Sequence, residues 1–286
     1  MFEKFLSLDL ISLSLIAGFL GLMVGSFLNV VIYRLPKMMH YEWTSQSYEW
    51  LNKKPYTEEE PPTLSKPASH CYNCKKTIKA WQNIPVISYL VLRGKCGNCQ
   101  SPISIRYPLI ELLTGILSAL VIYYLGATWQ GLFGVLLTWV LVSLTFIDFD
   151  HQLLPDDIVL PTLWLGLGLS VFSIYANPID SIIGAIAGYL FFWFIFHAFR
   201  ILTGKEGMGH GDFKLMSLLG AWFGWQFLPQ IVLISTLAGS IIGISLMLTR
   251  KAEMGNKIPF GPYIAIAGYI AMIWGPEINA TYLSSL

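Results

Sequence analysis

Three features of the sequence predict an all-α polytopic membrane protein: about eight transmembrane helices with a small zinc-binding cytoplasmic domain. Hydrophobic residues make up 55% of the 286 and charged residues only 12%, about half the charged share of a soluble domain. The apolar residues fall in runs of about 20, the length that spans a bilayer core as helix. Nearly all basic residues cluster in gaps that would lie on one side of the membrane. Mean hydropathy is +0.59. A net charge of +1 says nothing about nucleic acid, because the distribution of charge carries the information; membrane lipid is the expected surroundings and no nucleic-acid partner is expected.

The first apolar run, from Leu10 to Tyr33, is longer than the core of a cleaved signal peptide. It reads as a retained helix over 11–33, closed by Tyr33-Arg-Leu-Pro36. Further helices are expected at 107–126, 129–147, 157–176, 180–199, 212–227, 230–249 and 260–276. The run at 212–227 is the shortest. Its apolar part covers about 22 Å at the helical rise, against a core of ~30 Å. Counted as a crossing, it leaves every Lys and Arg except Lys4 on one side. Left out, it moves Arg250, Lys251 and Lys257 to the other. The positive-inside rule therefore favours eight crossings with both termini outside. The polar stretch 34–106 then forms a cytoplasmic domain between a first helix at 1–33 and a helical remainder at 107–286. Residues 40–66, rich in Glu, Pro, Tyr and Lys, read as a loop or irregular hairpin, and no internal repeat is evident.

All four cysteines lie in that domain, as Cys71-Tyr-Asn-Cys74 and Cys96-Gly-Asn-Cys99. Each C-x-x-C knuckle can aim two thiolates at one metal, and two knuckles complete a tetrahedral zinc site. The alternatives are disulfides or structural thiols, and a reducing cytosol disfavours the first. Four protein ligands leave no open position, so the zinc expected on Cys71, Cys74, Cys96 and Cys99 is structural.

Two acids stand at the mouths of apolar runs: Asp148, in Ile147-Asp-Phe-Asp150, and Asp212, after Gly209-His-Gly211. Eight crossings put both at the cytoplasmic boundary. Acids at membrane depth are costly and mark functional sites, and a close pair has the chemistry of an aspartic dyad. Glycines at 209 and 211 permit close approach or positive φ. Asp156 is the second choice after Asp148, Asp150 reads as solvated, and Asp157 reads as a helix cap or first-turn acid. His151 and His210 are isolated and form no H-E-x-x-H. Glu111 is expected to pair with Arg34 or Arg106, or to hold a cationic group. Glu206 and Lys214 flank the glycine turn, where they position it or hold substrate.

Taken together, several stretches resemble the bacterial type IV prepilin peptidases, which are bifunctional leader peptidases and N-methyltransferases. They are Gly25-Ser-Phe-Leu-Asn-Val-Val-Ile-Tyr-Arg-Leu-Pro36, the paired C-x-x-C, Arg106-Tyr-Pro-Leu-Ile-Glu-Leu-Leu-Thr-Gly115, Asp148 with Leu154-Pro-Asp156, and Lys205-Glu-Gly-Met-Gly-His-Gly-Asp-Phe-Lys-Leu215. The resemblance implies a multi-pass protein of the bacterial inner membrane whose zinc domain and active site face the cytoplasm. It implies Asp148 and Asp212 as catalytic acids, prepilins and pseudopilins as substrates, and S-adenosylmethionine as methyl donor for the freed amino terminus. It also makes 34–106 the methyltransferase part and 107–286 the aspartic peptidase domain. Two other classes compete: a proton-coupled transporter using intramembrane acids, and a membrane adaptor whose zinc module docks partners.

Overall fold

The computed structural model describes residues 9–51, 56, 60–249 and 259–284. Lys4, Arg250, Lys251 and Lys257, and residues 52–55 and 57–59 of the stretch 40–66, lie outside them. Among the described residues all extended regular structure is helical, and five helices are long and apolar enough to cross a membrane. The chain divides into two compact units, 1–127 and 128–286.

In the first unit, α1 (Leu10–Trp50) packs along α3 (Arg106–Leu125). Small residues set the closeness of this pair, as in helix pairs within membranes. A Cβ on Gly25 would lie 2.8 Å from the Glu111 Cα, and one on Gly21 would lie 2.6 Å from the Ser118 hydroxyl. Buried Asn29 donates to the Tyr107 carbonyl at 3.2 Å across the same seam.

Here the expected end of the first helix is corrected. It does not stop at Tyr33-Arg-Leu-Pro36 but runs through Pro36 to Trp50, so residues 40–50 are helical rather than loop. Proline removes one N–H and crowds one carbonyl, and a single such lesion is survivable where the next fourteen residues contain neither Gly nor Pro. Thr44 and Ser47 return their hydroxyls to the carbonyls of His40 and Trp43, each at 2.7 Å. Between α1 and α3 lie a 3-10 turn (Ala80–Asn83), a short helix α2 (Ile87–Val91) and the two cysteine knuckles.

The second unit holds α4 (Trp129–His151), α5 (Asp156–Ser170), α6 (Pro178–Thr203), α7 (His210–Phe223), α8 (Leu228–Leu248) and α9 (Gly261–Ser284). Thr128 caps α4 by accepting from the Gly131 amide at 3.0 Å, and Gln152, in the left-handed region at φ 52, ends it. Asn177 with Pro178 at the first turn starts α6 and Gly204 stops it.

At the centre is α7, packed against α5, α6 and α9. Every residue from Asp212 to Phe223 except Lys214 is buried. Gly184 of α6 faces Gly220 of α7 so closely that a Cβ on either would collide with backbone. Ser217 donates to the Ala185 carbonyl at 2.8 Å, and the Trp222 indole donates to the Thr162 carbonyl of α5 at 2.8 Å. Fourteen residues of helix reach only about 21 Å. α7 is thus an interior helix sheathed by its neighbours, and its sequence is apolar because protein surrounds it.

Candidate functional site: an aspartate pair and a cysteine cluster

Asp148 lies in the last turn of α4 and Asp212 in the first turn of α7. The residues around them explain why two acids 64 positions apart meet. After α4 ends, Leu154 and Pro155 turn inward and are buried, and α5 starts at Asp156. The Leu154 side chain then fills the space beside two glycines. A Cβ on Gly211 would lie 2.8 Å from the Leu154 Cβ, and one on Gly261 would lie 3.3 Å from its Cδ1. With this wedge seated, α7 and α9 deliver their N-termini to the end of α4.

The Gly261 amide donates to Asp148 Oδ2 at 2.9 Å, and the Asp212 carboxyl accepts from the Gly209 amide. Asp148 is 5% exposed and Asp212 is 6% exposed, close enough for the charge of Asp148 to act on Asp212. Two buried acids at one spot, with backbone donors as neighbours and no basic side chain bonded to either among the described residues, are arranged for proton exchange rather than for an ion pair.

In the first unit the four Sγ atoms of Cys71, Cys74, Cys96 and Cys99 all lie within 4.8 Å of one another. Cys71 and Cys99 are 3.8 Å apart and the four thiols are free. A tetrahedron of thiolates at the usual Zn–S length has an edge of ~3.8 Å, so the donor set fits a zinc ion. The two knuckles fold alike, offset by 25 residues. Cys71 N–H donates to Lys76 O and Cys96 N–H to Ser101 O; Lys75 N–H donates to Cys71 O and Gln100 N–H to Cys96 O. Lys75 and Gln100 both sit at positive φ, 58 and 60. The Cys71 thiol is pulled down to about 6, first by the Cys74 amide and then by the Ser101 hydroxyl. The same hydroxyl, 3.1 Å from Cys99, holds that thiol below its usual range. Thiolates are the form that binds metal.

Comparison with known proteins matches this framework along its length. Residues 19–125 match the bacterial peptidase A24 N-terminal domain and residues 135–244 match the type IV leader peptidase family. A prepilin leader peptidase/N-methyltransferase of Pseudomonas aeruginosa is 52% identical over 92% of this chain and 91% of its own. Proteins of the same name from Aeromonas hydrophila and Neisseria gonorrhoeae are 52% and 49% identical, over 93% and 89% of this chain and 92% and 88% of theirs. The chain belongs to the prepilin leader peptidase/N-methyltransferase family. Membership sets aside the proton-coupled transporter and the adaptor. No solved structure matches.

Against that family background the remaining polar residues find their places. Asp156, the second choice, is held by Lys214, whose Nζ lies 2.8 Å from both carboxylate oxygens. It ties the start of α5 to α7 and supports the pair from outside. Asp157 is an exposed first-turn acid and Asp150 is exposed. Glu206 faces Arg200 at 3.8 Å. His151 is exposed, and His210 packs its ring on Phe196 and Phe213.

Two expectations are corrected. Arg34 does not pair with Glu111; it donates to the carbonyls of Thr63 and Pro67, each at 2.7 Å, while Glu111 accepts from the Val86 amide at 2.8 Å. Gly209 takes φ −79, so the glycine turn needs no left-handed residue there, and it is Gly211 that supplies close approach. Sequence reasoning missed Gly261. A Cβ there would lie 2.6 Å from Asp148 Oδ2, and the Gly261-Pro262 step at a helix start was the available signal.

Proposed function

We propose that the chain cleaves the leader peptides of prepilins and pseudopilins with Asp148 and Asp212 as an aspartic dyad, and then methylates the freed amino terminus. What supports the peptidase half is the meeting of two buried carboxyls at the ends of α4 and α7 in a member of this family. Two such carboxyls do not both ionise, so one keeps its proton. The ionised partner takes a proton from water, whose oxygen attacks the scissile carbonyl. The protonated partner donates to the carbonyl oxygen as it gains negative charge. Collapse of the tetrahedral intermediate breaks the C–N bond, and the departing nitrogen takes a proton from the dyad. Gly261 N–H fixes one oxygen of Asp148, which leaves the other to face water.

Cys71, Cys74, Cys96 and Cys99 would hold zinc in the domain 34–106, where it staples a segment short of apolar core. S-adenosylmethionine, when bound, supplies an electrophilic methyl group; no side chain is assigned to it. Helices at the eight expected positions, read with the distribution of Lys and Arg, favour eight passages through the bacterial inner membrane, α7 among them as an interior one. The dyad and the zinc domain then face the cytoplasm, between an N-terminal helix and the peptidase domain 107–286.

The test is cleavage of a purified prepilin by the full chain reconstituted in lipid, with Asp148→Asn and Asp212→Asn made separately. Each should abolish release of the leader while methylation of pre-cut substrate and zinc content persist. Leader release at the unsubstituted rate by either variant rules out the dyad.

A further inference from the structure

Glu111 is the buried acid that the peptidase reading leaves unused, and its partner is an unusual one. Val86, whose amide it accepts, has φ 60 and ψ −50. A β-branched residue rarely adopts positive φ, because its Cβ crowds the backbone, and such strain persists only where surrounding structure holds it. Here the Glu111 carboxylate does the holding, at 2.8 Å, with the Ser26 hydroxyl as its second partner.

The bond also fixes a depth. Glu111 stands five residues inside α3, about 7.5 Å along the axis from Arg106, and α3 is long and apolar enough to be a span. The Glu111 side chain leans back toward the N-terminus of α3, so Val86, which immediately precedes α2, tethers the short helix between the level of Glu111 and that of Arg106. Its side chains suit that level. Ile87 is 58% exposed and Leu90 and Val91 are each 67% exposed, with Ile84 beside them also outward. Lys79, Arg93 and Lys95 flank this apolar tip and are exposed. On the face of α3 turned away from Glu111, Leu109, Leu112 and Ile116 are exposed, so α3 itself meets lipid at the level of this bond.

We propose that residues 84–91 are a lipid-seated tip of the cysteine domain, inserted among the upper acyl chains and held at that depth by the Glu111–Val86 bond. Helices that lie in a membrane interface bury their apolar face about 5–10 Å into the headgroup and acyl boundary, with basic residues above it at anionic headgroups. The tip matches in depth, apolar face and flanking charge. It pins the cysteine domain to the bilayer surface, independently of the dyad, and an assay that reads lipid contact reads no activity.

The experiment places a fluorescent non-natural amino acid at position 90 of the full chain. The protein is reconstituted in phosphatidylethanolamine and phosphatidylglycerol vesicles whose acyl chains carry bromine, a contact quencher. Probes at 112, on the lipid face of α3, and at 75, on a cysteine knuckle, give the two limits. The expected result is loss of emission at 90 as large as at 112. Emission at 90 as high as at 75 overturns the proposal. So does recovery of emission at 90 when prepilin is added, which would make the tip a substrate site, or when protein density in the vesicle rises, which would make it a contact between copies. Glu111→Gln keeps an acceptor oxygen and should preserve quenching. Glu111→Leu should reduce it, with bound zinc as the check on folding; unchanged quenching in Glu111→Leu with zinc retained removes the tether.

Discussion

In the cysteine cluster each ligand is placed by a turn of about five residues, whereas the two aspartates reach each other only through the packing of α4, α5, α7 and α9. The knuckles repeat the same turn bonds 25 residues apart, so each half of the cluster is local and a metal would have only to join two prefabricated pieces. The aspartate pair has no local half. Asp148 depends on where α4 stops, Asp212 on where α7 starts, and their meeting depends on Leu154 seated against Gly211 and on Gly261 seated against Asp148. A local site tolerates movement of the helices around it; a site made of helix ends does not.

The largest expected effect breaks the comparison at the aspartates. Asp148→Asn or Asp212→Asn should lower the rate constant for leader cleavage by roughly 10²–10⁴-fold, the scale of general acid–base catalysis, with zinc stoichiometry unchanged by metal analysis. Next comes the packing that aims them. Gly261→Ala forces a methyl to within 2.6 Å of Asp148 Oδ2. It should cost up to roughly 10²-fold in cleavage, as misplacements of about 1 Å do, with little change in methylation of pre-cut substrate.

Cys71→Ser tests the other region. It should lower bound zinc and impair methylation more than cleavage, as followed by both assays on one preparation. The smallest effect is expected at Asp156→Asn. The Lys214–Asp156 pair is part-exposed, at 32% and 48%, and such pairs are worth about 0–1 kcal/mol. Cleavage should therefore fall by no more than roughly fivefold; a loss as deep as that of Asp148→Asn would make Asp156 the partner of Asp212 instead.

The same contrast explains what could be read from the sequence. Each of the eight expected positions holds a helix, although only five helices are long and apolar enough to cross a membrane among the described residues and the one expected over 157–176 ends at Ser170; apolar runs bounded by Gly, Pro and Asn report the presence of a helix better than its ends. The cysteine site was legible for the same local reason. Pro36 misled because proline speaks only for its own turn, and the fourteen residues after it carry no other breaker. The interior position of α7 was not legible, since a helix buried in protein and one facing lipid are equally apolar, and the close contact of Gly184 with Gly220 depends on two segments 36 positions apart. The Gly261–Asp148 and Glu111–Val86 bonds were hidden for that reason too: Gly261-Pro262 marks a helix start, but nothing beside it or beside Glu111 in sequence names the partner.

The most direct measurement is a double-mutant comparison of leader cleavage by the full chain, using Asp148→Asn, Asp212→Asn and the two combined. Groups that share one proton and act as a unit lose their function once. The double variant should be no slower than the slower single variant, and both singles should be severely impaired. Losses that multiply, or one single variant that cleaves at the unsubstituted rate, would show that the two carboxyls do separate work.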